Sequence, residues 1–177
     1  MSITLETERL ILRPFVISDA PSMSQLAGHP EIAATTLNMP SPYSEEAART
    51  FIESVQDNPK NHAFAIVRKQ DQQLLGGIGI HPEERHQHAE LGYWIGVPYW
   101  NQGYASETAK RIVDYGFEAL KLRRIYAGYF AHNIASRRVM EKAGMVYEGM
   151  FRQHYERFGH FHDIGYCAIL RSEWESA

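Results

Sequence analysis

The chain has 177 residues, of which 44% are hydrophobic and 22% are charged, and its formal net charge is -3. A chain of this length buries about 70% of the surface that it exposes when unfolded, so we expect one globular domain over residues 1–177. The small negative charge argues against nucleic acid as a main partner, because phosphate-backbone binders depend on clustered Lys and Arg.

The N-terminus has no basic region followed by an apolar stretch, and no apolar run approaches the roughly 18 residues that a membrane span needs. Cys167 is the single cysteine, which excludes an intrachain disulfide. We therefore expect a cytoplasmic protein that works in a reducing compartment and does not bind membranes.

The first third of the chain predicts a strand followed by two helices. Residues 9–15 alternate as a strand, and residues 18–21 provide a capping residue and an early proline for a helix. Residues 28–42 are typical of a loop. Ser44 caps a second helix, which has acidic residues in its first turn and an apolar face that extends to Val55.

The middle of the chain changes from strand to helix and back. Residues 62–68 and 74–80 predict an antiparallel hairpin, and a further strand follows at 89–97. Apolar residues then recur at steps of three and four between 105 and 120, which predicts an amphipathic helix. Residues 124–130 read as a strand again, so this strand–helix–strand unit predicts a parallel crossover.

The last third predicts a short helix and a hairpin. Ala135, Val139 and Ala143 mark the helix, and Gly144 provides the left-handed residue that often ends one. Residues 145–157 and 160–170 then predict two antiparallel strands. Cys167 lies in the apolar part of the second strand, which favours packing over a covalent acyl-carrier role.

The turn before the amphipathic helix is the strongest candidate for a binding site. It reads W-N-Q-G-Y-A-S-E over residues 100–107. The first turn of a helix has N–H groups without partners, which together with the helix dipole suit a pyrophosphate, and Gly103 and Ala105 leave the backbone accessible. Pro98 cannot donate to a ladder and is expected to splay the preceding strand from its neighbour. By itself, the turn also fits an ordinary β–α connection.

Four segments together carry a resemblance to a known family. They are T-E-R-L-I-L-R-P-F with the following S-D-A, A-E-L-G-Y-W-I-G-V with W-N-Q-G-Y-A-S-E, N-I-A-S-R-R-V-M-E-K-A-G-M, and G-H-F-H-D. These segments resemble the GNAT superfamily of N-acetyltransferases, in its RimJ/RimL-like branch of ribosomal-protein N-terminal acetyltransferases. The resemblance implies an α/β (α+β) GNAT fold, with a mixed, mostly antiparallel sheet of about seven strands that is splayed at a central parallel pair, and about four helices. A Rossmann fold is disfavoured, because the turn follows the fourth predicted strand and not the first.

The same resemblance implies acetyl-CoA as co-substrate, without a metal. The residues that it implies for cofactor binding are Trp94, Ile95, Gly96, Val97, Gln102, Gly103, Tyr104, Ala105, Ser106, Asn133 and Ser136. Strand N–H groups around Trp94, Ile95 and Gly96, unpaired where the sheet splays, are expected to polarise the thioester carbonyl. Asn133 is expected to cap a helix, to bind the pantetheine arm, or both. The nine histidines do not form a persuasive set of metal ligands.

Two residues are candidates for catalysis. Glu90 matches the position of a catalytic glutamate in several relatives and is the candidate base, with pairing to a neighbouring strand as the alternative. Ser136 is the candidate acid for the departing thiolate, with a solvated helix hydroxyl as the alternative. Many relatives carry a tyrosine that serves as the general acid where this chain has Met140. Tyr155 and Tyr104 are weaker substitutes for that role.

The acceptor is expected to be an amine. At pH 7 deprotonation costs about 1.2 kcal/mol for an α-amine and about 4.6 kcal/mol for a lysine. The N-terminal amine of a protein is therefore the easier acceptor to deprotonate. The alternatives are a small acceptor such as a polyamine, an amino sugar or an antibiotic, and a non-catalytic acetyl-CoA sensor. The sequence leaves a monomer and a homodimer both open.

Overall fold

The structure, a computed structural model, describes residues 3–58 and 60–176. Within these ranges there are eight strands and six α-helices. The strands are β1 (Leu5–Glu6), β2 (Leu10–Arg13), β3 (His62–Arg68), β4 (Leu74–Glu83), β5 (His88–Ile95), β6 (Arg124–Phe130), β7 (Val146–Arg157) and β8 (His160–Leu170). The helices are α1 (Ala20–Ala27), α2 (Pro30–Thr35), α3 (Glu45–Gln56), α4 (Tyr104–Glu118), α5 (Ile134–Lys142) and α6 (Arg171–Trp174).

All eight strands form one mixed sheet in the order β1-β2-β3-β4-β5-β6-β8-β7. Every neighbouring pair is antiparallel except β5 and β6, which run parallel. Their pairing covers only three positions, from His88 opposite Arg124 to Glu90 opposite Tyr126. Beyond Glu90, β5 stays paired with β4, while β6 stays paired with β8. The expected fold, a mostly antiparallel sheet that opens at a central parallel pair, is confirmed.

Helices cover both faces of the sheet and bury two hydrophobic cores. On one face, Ile112 and Phe117 of α4 and Met140 of α5 pack with strand residues such as Leu12 and Ile66. On the other face, α1 and α3 supply their apolar residues to a second core around Phe15 and Val67. Each fully buried side chain of this size contributes about 1.5–3 kcal/mol, which holds β4, β5 and β6 in place on either side of the gap.

Several predicted elements agree closely with the structure, and others differ from it. Residues 28–42 are not a continuous loop, because Pro30–Thr35 forms α2, with Pro30 in its first turn and Ile32 buried. The strand predicted to reach Val97 ends at Ile95, and a 3-10 turn over Val97–Tyr99 follows. The short elements β1 and α6 were not predicted, which accounts for part of the higher element count.

Within residues 3–58 and 60–176, no helix combines the length and the apolarity that crossing a membrane requires.

Candidate active site

The gap between β5 and β6 begins one residue after Glu90. The N–H groups of a strand point alternately to its two neighbours, so alternate β5 amides beyond Glu90 face this gap. The Gly96 amide does not, because it donates to the Leu75 carbonyl oxygen at 2.8 Å. The prediction that this amide is unpaired is therefore wrong, and alternation turns the Trp94 amide towards β4 as well. Of the three expected donors, the Ile95 amide is the one that faces the gap.

The turn predicted to bind a pyrophosphate lies at the open end of the gap. The indole Nε1 of Trp100 donates to the Ile95 carbonyl oxygen at 2.6 Å, which closes the turn against the end of β5. The side-chain amide of Gln102 donates to the Pro98 carbonyl oxygen at 3.1 Å and thereby holds the turn. Gly103 has a φ of 82°, a left-handed conformation that favours glycine, and α4 begins directly after it. The turn therefore presents the first amides of a 15-residue helix to the gap.

A cleft of about 400 Å³ extends from this turn to α5, and we call it the cofactor cleft. The candidate binding residues that line it are Trp94, Ile95, Gly103, Tyr104, Ala105, Ser106, Asn133 and Ser136. The other three candidates are sequence neighbours of lining residues but are not among the described lining of the cleft. They are Gly96, Val97 and Gln102. The charged residues that line the cleft, within the described ranges, are Arg138 and Lys142, one turn apart on α5. A cleft whose charges are both positive suits a ligand that carries phosphates.

A larger cavity of about 820 Å³ lies against the cofactor cleft, and we call it the acceptor cavity. Both spaces are bordered by Tyr93, Trp94 and Ser136, so they meet at the gap in the sheet. Among the described residues, the Asp, Glu, Lys and Arg side chains in the cavity wall are Glu46 and Glu90. The rest of the wall is largely aromatic and aliphatic. The acceptor cavity is therefore negative where the cofactor cleft is positive, which suits a cationic amine.

One edge of the acceptor cavity is formed by the segment of residues 34–40, which comprises the end of α2 and the chain that follows it. His132 Nε2 lies 3.2 Å from the Ala34 carbonyl oxygen. The guanidinium of Arg157 donates to the carbonyl oxygen of Met39, and Met39 itself lines the cavity. These two contacts fasten the segment to the ends of β6 and β7, on the far side of the gap.

Glu90 and Tyr93 lie on opposite faces of β5, because side chains alternate along a strand and these two are three residues apart. Glu90 is exposed and lines the acceptor cavity. Its cross-strand neighbours are His81 on β4 and Tyr126 on β6, so the alternative of pairing with a neighbouring strand depends on His81. Burial raises the pKa of Tyr126, and the negative charge of Glu90 adds to that rise.

Ser136 is not a solvated hydroxyl, because its Oγ lies 2.8 Å from the phenol oxygen of Tyr93. The Tyr93 hydroxyl also donates to the Ser136 carbonyl oxygen at 3.2 Å. Burial raises the pKa of Tyr93 to about 12, and the hydrogen bond with Ser136 only partly offsets this rise. The Tyr93 hydroxyl therefore keeps its proton at neutral pH. The sequence offered Tyr93 no distinction from its neighbours, and its role depends on a contact across the gap.

Three further candidates have defined positions. Asn133 caps α5, because its Oδ1 accepts from the Ser136 amide at 3.1 Å, so the capping role is confirmed. The expected contact between Asn133 and pantetheine stays a prediction. Tyr155 lines the acceptor cavity, with its hydroxyl 3.3 Å from that of Tyr166. Tyr104 is buried below the turn and borders the cofactor cleft.

Among the residues whose placement is described, no three His, Cys, Asp or Glu side chains are grouped as a metal site requires.

The chain is similar in sequence and in fold to known acetyltransferases. Residues 9–146 match the family model described as an acetyltransferase (GNAT) domain. The chain is 33% identical over 171 residues to the uncharacterized N-acetyltransferase YoaA of Bacillus subtilis (strain 168), and the match covers 94% of this chain and 96% of YoaA. A crystal structure of a GNAT-family acetyltransferase from Bacillus anthracis superposes with a TM-score of 0.86 at 30% identity, covering 96% of this chain and 99% of that one.

A more distant structure shares the fold. RimJ of Mycobacterium smegmatis, solved in complex with CoA-disulfide, superposes with a TM-score of 0.84 at 22% identity, covering 97% of this chain and 88% of that one.

Together, the matches place this protein among the N-acetyltransferases. The chain belongs to the GNAT family, so its co-substrate is acetyl-CoA and its reaction is acetyl transfer to an amine.

Proposed function

We propose that this enzyme transfers acetyl directly from acetyl-CoA to the α-amine of a protein N-terminus, with Glu90 as the base and the Tyr93–Ser136 pair as the acid. The observation that carries the assignment of roles is the placement of Glu90 and Tyr93 on opposite faces of β5, at the point where the sheet opens. Glu90 faces the acceptor cavity, and the two hydroxyls border both the cavity and the cofactor cleft. An amine can thus approach the thioester from one side while the sulfur leaves on the other.

The proposed transfer begins with deprotonation of the amine. Glu90 accepts a proton from the ammonium group, directly or through a water, and the neutral nitrogen forms a bond to the acetyl carbonyl carbon. The Ile95 amide is placed to stabilise the negative charge on the carbonyl oxygen. The carbon–sulfur bond then breaks, and the thiolate takes a proton from the Tyr93–Ser136 pair. The nitrogen loses its second proton to restore that pair, so one proton is released to solvent in each turnover.

Two considerations favour an α-amine as the acceptor. An α-amine needs only about 1.2 kcal/mol for deprotonation at pH 7, which an exposed carboxylate base can supply. The two carboxylates of the cavity wall, Glu46 and Glu90, also suit an acceptor that arrives with a positive charge. The apolar and aromatic remainder of the wall gives room for the first side chains of a peptide.

A small amine is the second candidate, and a specific observation favours it. The segment over residues 34–40 is fastened across one edge of the cavity by the contacts of His132 and Arg157. A cavity that is closed on that edge encloses a compact ligand more completely than it admits a chain. Substrate profiling distinguishes the two classes of acceptor.

The test compares matched acceptors with the purified enzyme and acetyl-CoA. One set contains short peptides with a free α-amine and the same peptides with a blocked N-terminus and one lysine. The other set contains diamines and amino sugars. We expect the free peptides to exceed the blocked ones in kcat/KM by about 100-fold or more, the ratio that the deprotonation costs allow. Faster turnover of the small amines would replace the peptide acceptor by the second candidate.

The direct mechanism has its own test. Enzyme incubated with labelled acetyl-CoA in the absence of acceptor should carry no label after denaturation, because no acetyl-enzyme forms. A stoichiometric burst of labelled protein would instead indicate a covalent intermediate and contradict direct transfer.

The cations of the cofactor cleft give a prediction about binding. Replacing both Arg138 and Lys142 by Gln should raise the Kd for CoA by about 10-fold at low salt, since two cations that face phosphates are lost. The difference should shrink as salt screens the remaining charges. Titration calorimetry at two ionic strengths measures both effects. Lys110→Gln, an exposed cation on α4 outside the cleft, is the matched control, and an equal loss in that variant would contradict the assignment.

A further inference from the structure

The turn over residues 100–106, which we call the pyrophosphate turn, is fastened to the N-terminal edge of the sheet through one carboxylate. Glu107 lies in the first turn of α4, and its Oε1 accepts from the Thr7 hydroxyl at 2.6 Å and from the Arg9 amide at 2.9 Å. Its Oε2 accepts from the Arg9 Nε at 2.7 Å. Burial alone would raise the pKa of Glu107, but the hydrogen bonds from Thr7 and Arg9 and the charge of Arg9 together lower it. Glu107 is therefore held as an anion.

Arg9 contacts the turn itself as well as Glu107. Its Nη1 donates to the Gln102 carbonyl oxygen at 3.0 Å. The guanidinium carbon lies 4.5 Å from the centre of the Tyr104 ring. A Cβ atom added at Gly103 would lie 3.3 Å from the Arg9 Nη2. One guanidinium thus packs under three consecutive residues of the turn and pairs with an acid one helical turn further on.

The pairing of Arg9 with Glu107 also changes the electrostatic potential at the N-terminus of α4. An acid in the first turn stabilises a helix, but it also weakens the positive potential by which a helix N-terminus attracts phosphates. The pairing with Arg9 offsets the charge of Glu107 at the place where the diphosphate is expected. Neither residue is among the described residues that line the cofactor cleft, so Arg9 acts through the turn and not as a direct ligand.

We propose that Arg9 is a positioning residue for cofactor binding, which fixes the pyrophosphate turn and neutralises Glu107 so that a diphosphate can bind beside it. This inference rests on the proposed function, because it takes the turn over residues 100–106 as the diphosphate site. It assigns a role in cofactor affinity to the turn between β1 and β2, which lies outside the strand–turn–helix unit that forms the site.

Titration calorimetry with coenzyme A on four forms of the full chain tests the proposal. The forms are wild type, R9Q, E107Q and the double variant R9Q/E107Q. We expect R9Q to raise the Kd by about 10-fold and E107Q to change it by less than about 3-fold. The double variant should bind CoA more tightly than R9Q, because it no longer has an unpaired carboxylate next to the diphosphate. If Arg9 had only a structural role, the double variant would bind CoA no more tightly than R9Q, because it lacks every contact that R9Q lacks.

Controls separate this effect from a loss of stability. Arg13 on β2 forms a two-fold hydrogen bond to Asp19 at 2.8 and 2.7 Å, away from the turn, so R13Q tests the loss of a comparable ion pair. It should leave the Kd for CoA within about 3-fold of wild type once folding is confirmed by circular dichroism. Should R9Q fail to fold, R9K keeps the charge and E107Q supplies the second arm. R9K should then raise the Kd for CoA by about 3-fold or more, because lysine keeps the positive charge but cannot donate to both Glu107 and the Gln102 carbonyl oxygen as the guanidinium does.

Two results would overturn the inference. One is an R9Q variant, or an R9K variant where R9Q does not fold, whose Kd for CoA equals that of wild type. The other is a double variant that binds no more tightly than R9Q. A wild-type protein that releases no heat with CoA would overturn the proposed site itself, and this inference with it. The wild-type titration therefore tells the two failures apart.

Discussion

Replacing Glu90 by Gln should lower kcat for acetyl transfer by about 100-fold or more, which is the lower end of what a positioned general base contributes. Gln has nearly the same shape as Glu but cannot accept the proton of an ammonium group. The Kd for CoA should stay unchanged, since Glu90 lines the acceptor cavity and is not among the described lining of the cofactor cleft. Release of free thiol measures kcat, and calorimetry measures the Kd.

Glu46 provides the matched control, because it is the other carboxylate in the described wall of the same cavity and belongs to α3. Glu46→Gln should raise KM for a cationic acceptor by a few-fold, in line with the small worth of about 1 kcal/mol or less of an exposed charge pair, and should leave kcat alone. Equal losses in the two variants would show a general effect of negative charge. In that case Glu90 would not be the base.

The pH dependence of the Glu90→Gln defect carries further information about the acceptor. An α-amine deprotonates near pH 7.9, so its need for a base falls steeply between about pH 7 and pH 9. A lysine-like amine stays charged over this interval. The ratio of wild-type to variant kcat/KM should therefore shrink with rising pH if the acceptor is an α-amine. A constant ratio up to pH 9 would favour a small aliphatic amine.

Local patterns were sufficient to predict the elements that surround the site. Ser44 caps α3, where its Oγ accepts from the Ala47 amide at 3.1 Å, and Gly144 has a φ of 90° after α5. Residues 124–130 form β6 with the predicted bounds. Each of these features depends on residues that are close in sequence, such as a cap, a left-handed stop or a period of two.

Features that depend on distant residues could not be predicted in the same way. The Gly96 amide is paired because β4 extends far enough for Leu75 to lie beside it. The short helix α2 lies in a stretch rich in turn-forming residues, and burial of Ile32 supports it. Likewise, the sequence does not distinguish Arg138 and Lys142 from other charged helix residues, whereas the structure places both at the wall of the cofactor cleft. Tertiary contacts decided all three cases.

Removing either hydroxyl of the Tyr93–Ser136 pair should lower kcat by about 30-fold, and removing both should cost little more. The loss is smaller than for Glu90, because a thiol with a pKa near 8.5 leaves with little help. Tyr93→Phe and Ser136→Ala each break the 2.8 Å contact between the two oxygens, so the pair acts as one unit. Steady-state kinetics of both single variants and the double variant measure the coupling.

Tyr155→Phe is the matched control, since its phenol also lines the acceptor cavity but contacts Tyr166 and not Ser136. It should keep kcat within about 3-fold of wild type, as expected for a hydroxyl outside the reacting pair. Losses in Tyr93→Phe and Ser136→Ala that multiply in the double variant would show two independent roles and contradict a shared acid.

The alkaline limb of the pH–rate profile tests the same pair without substitution. A donor must hold its proton, and the pKa of Tyr93 is raised to about 12 by burial. Wild-type kcat should therefore not fall between about pH 8 and pH 10, the interval in which an ordinary tyrosine with a pKa near 10 begins to lose its proton. A decline over that interval that disappears in Tyr93→Phe would mean that the phenol ionises there. The Tyr93–Ser136 pair could then not serve as the proton source for the departing sulfur under those conditions.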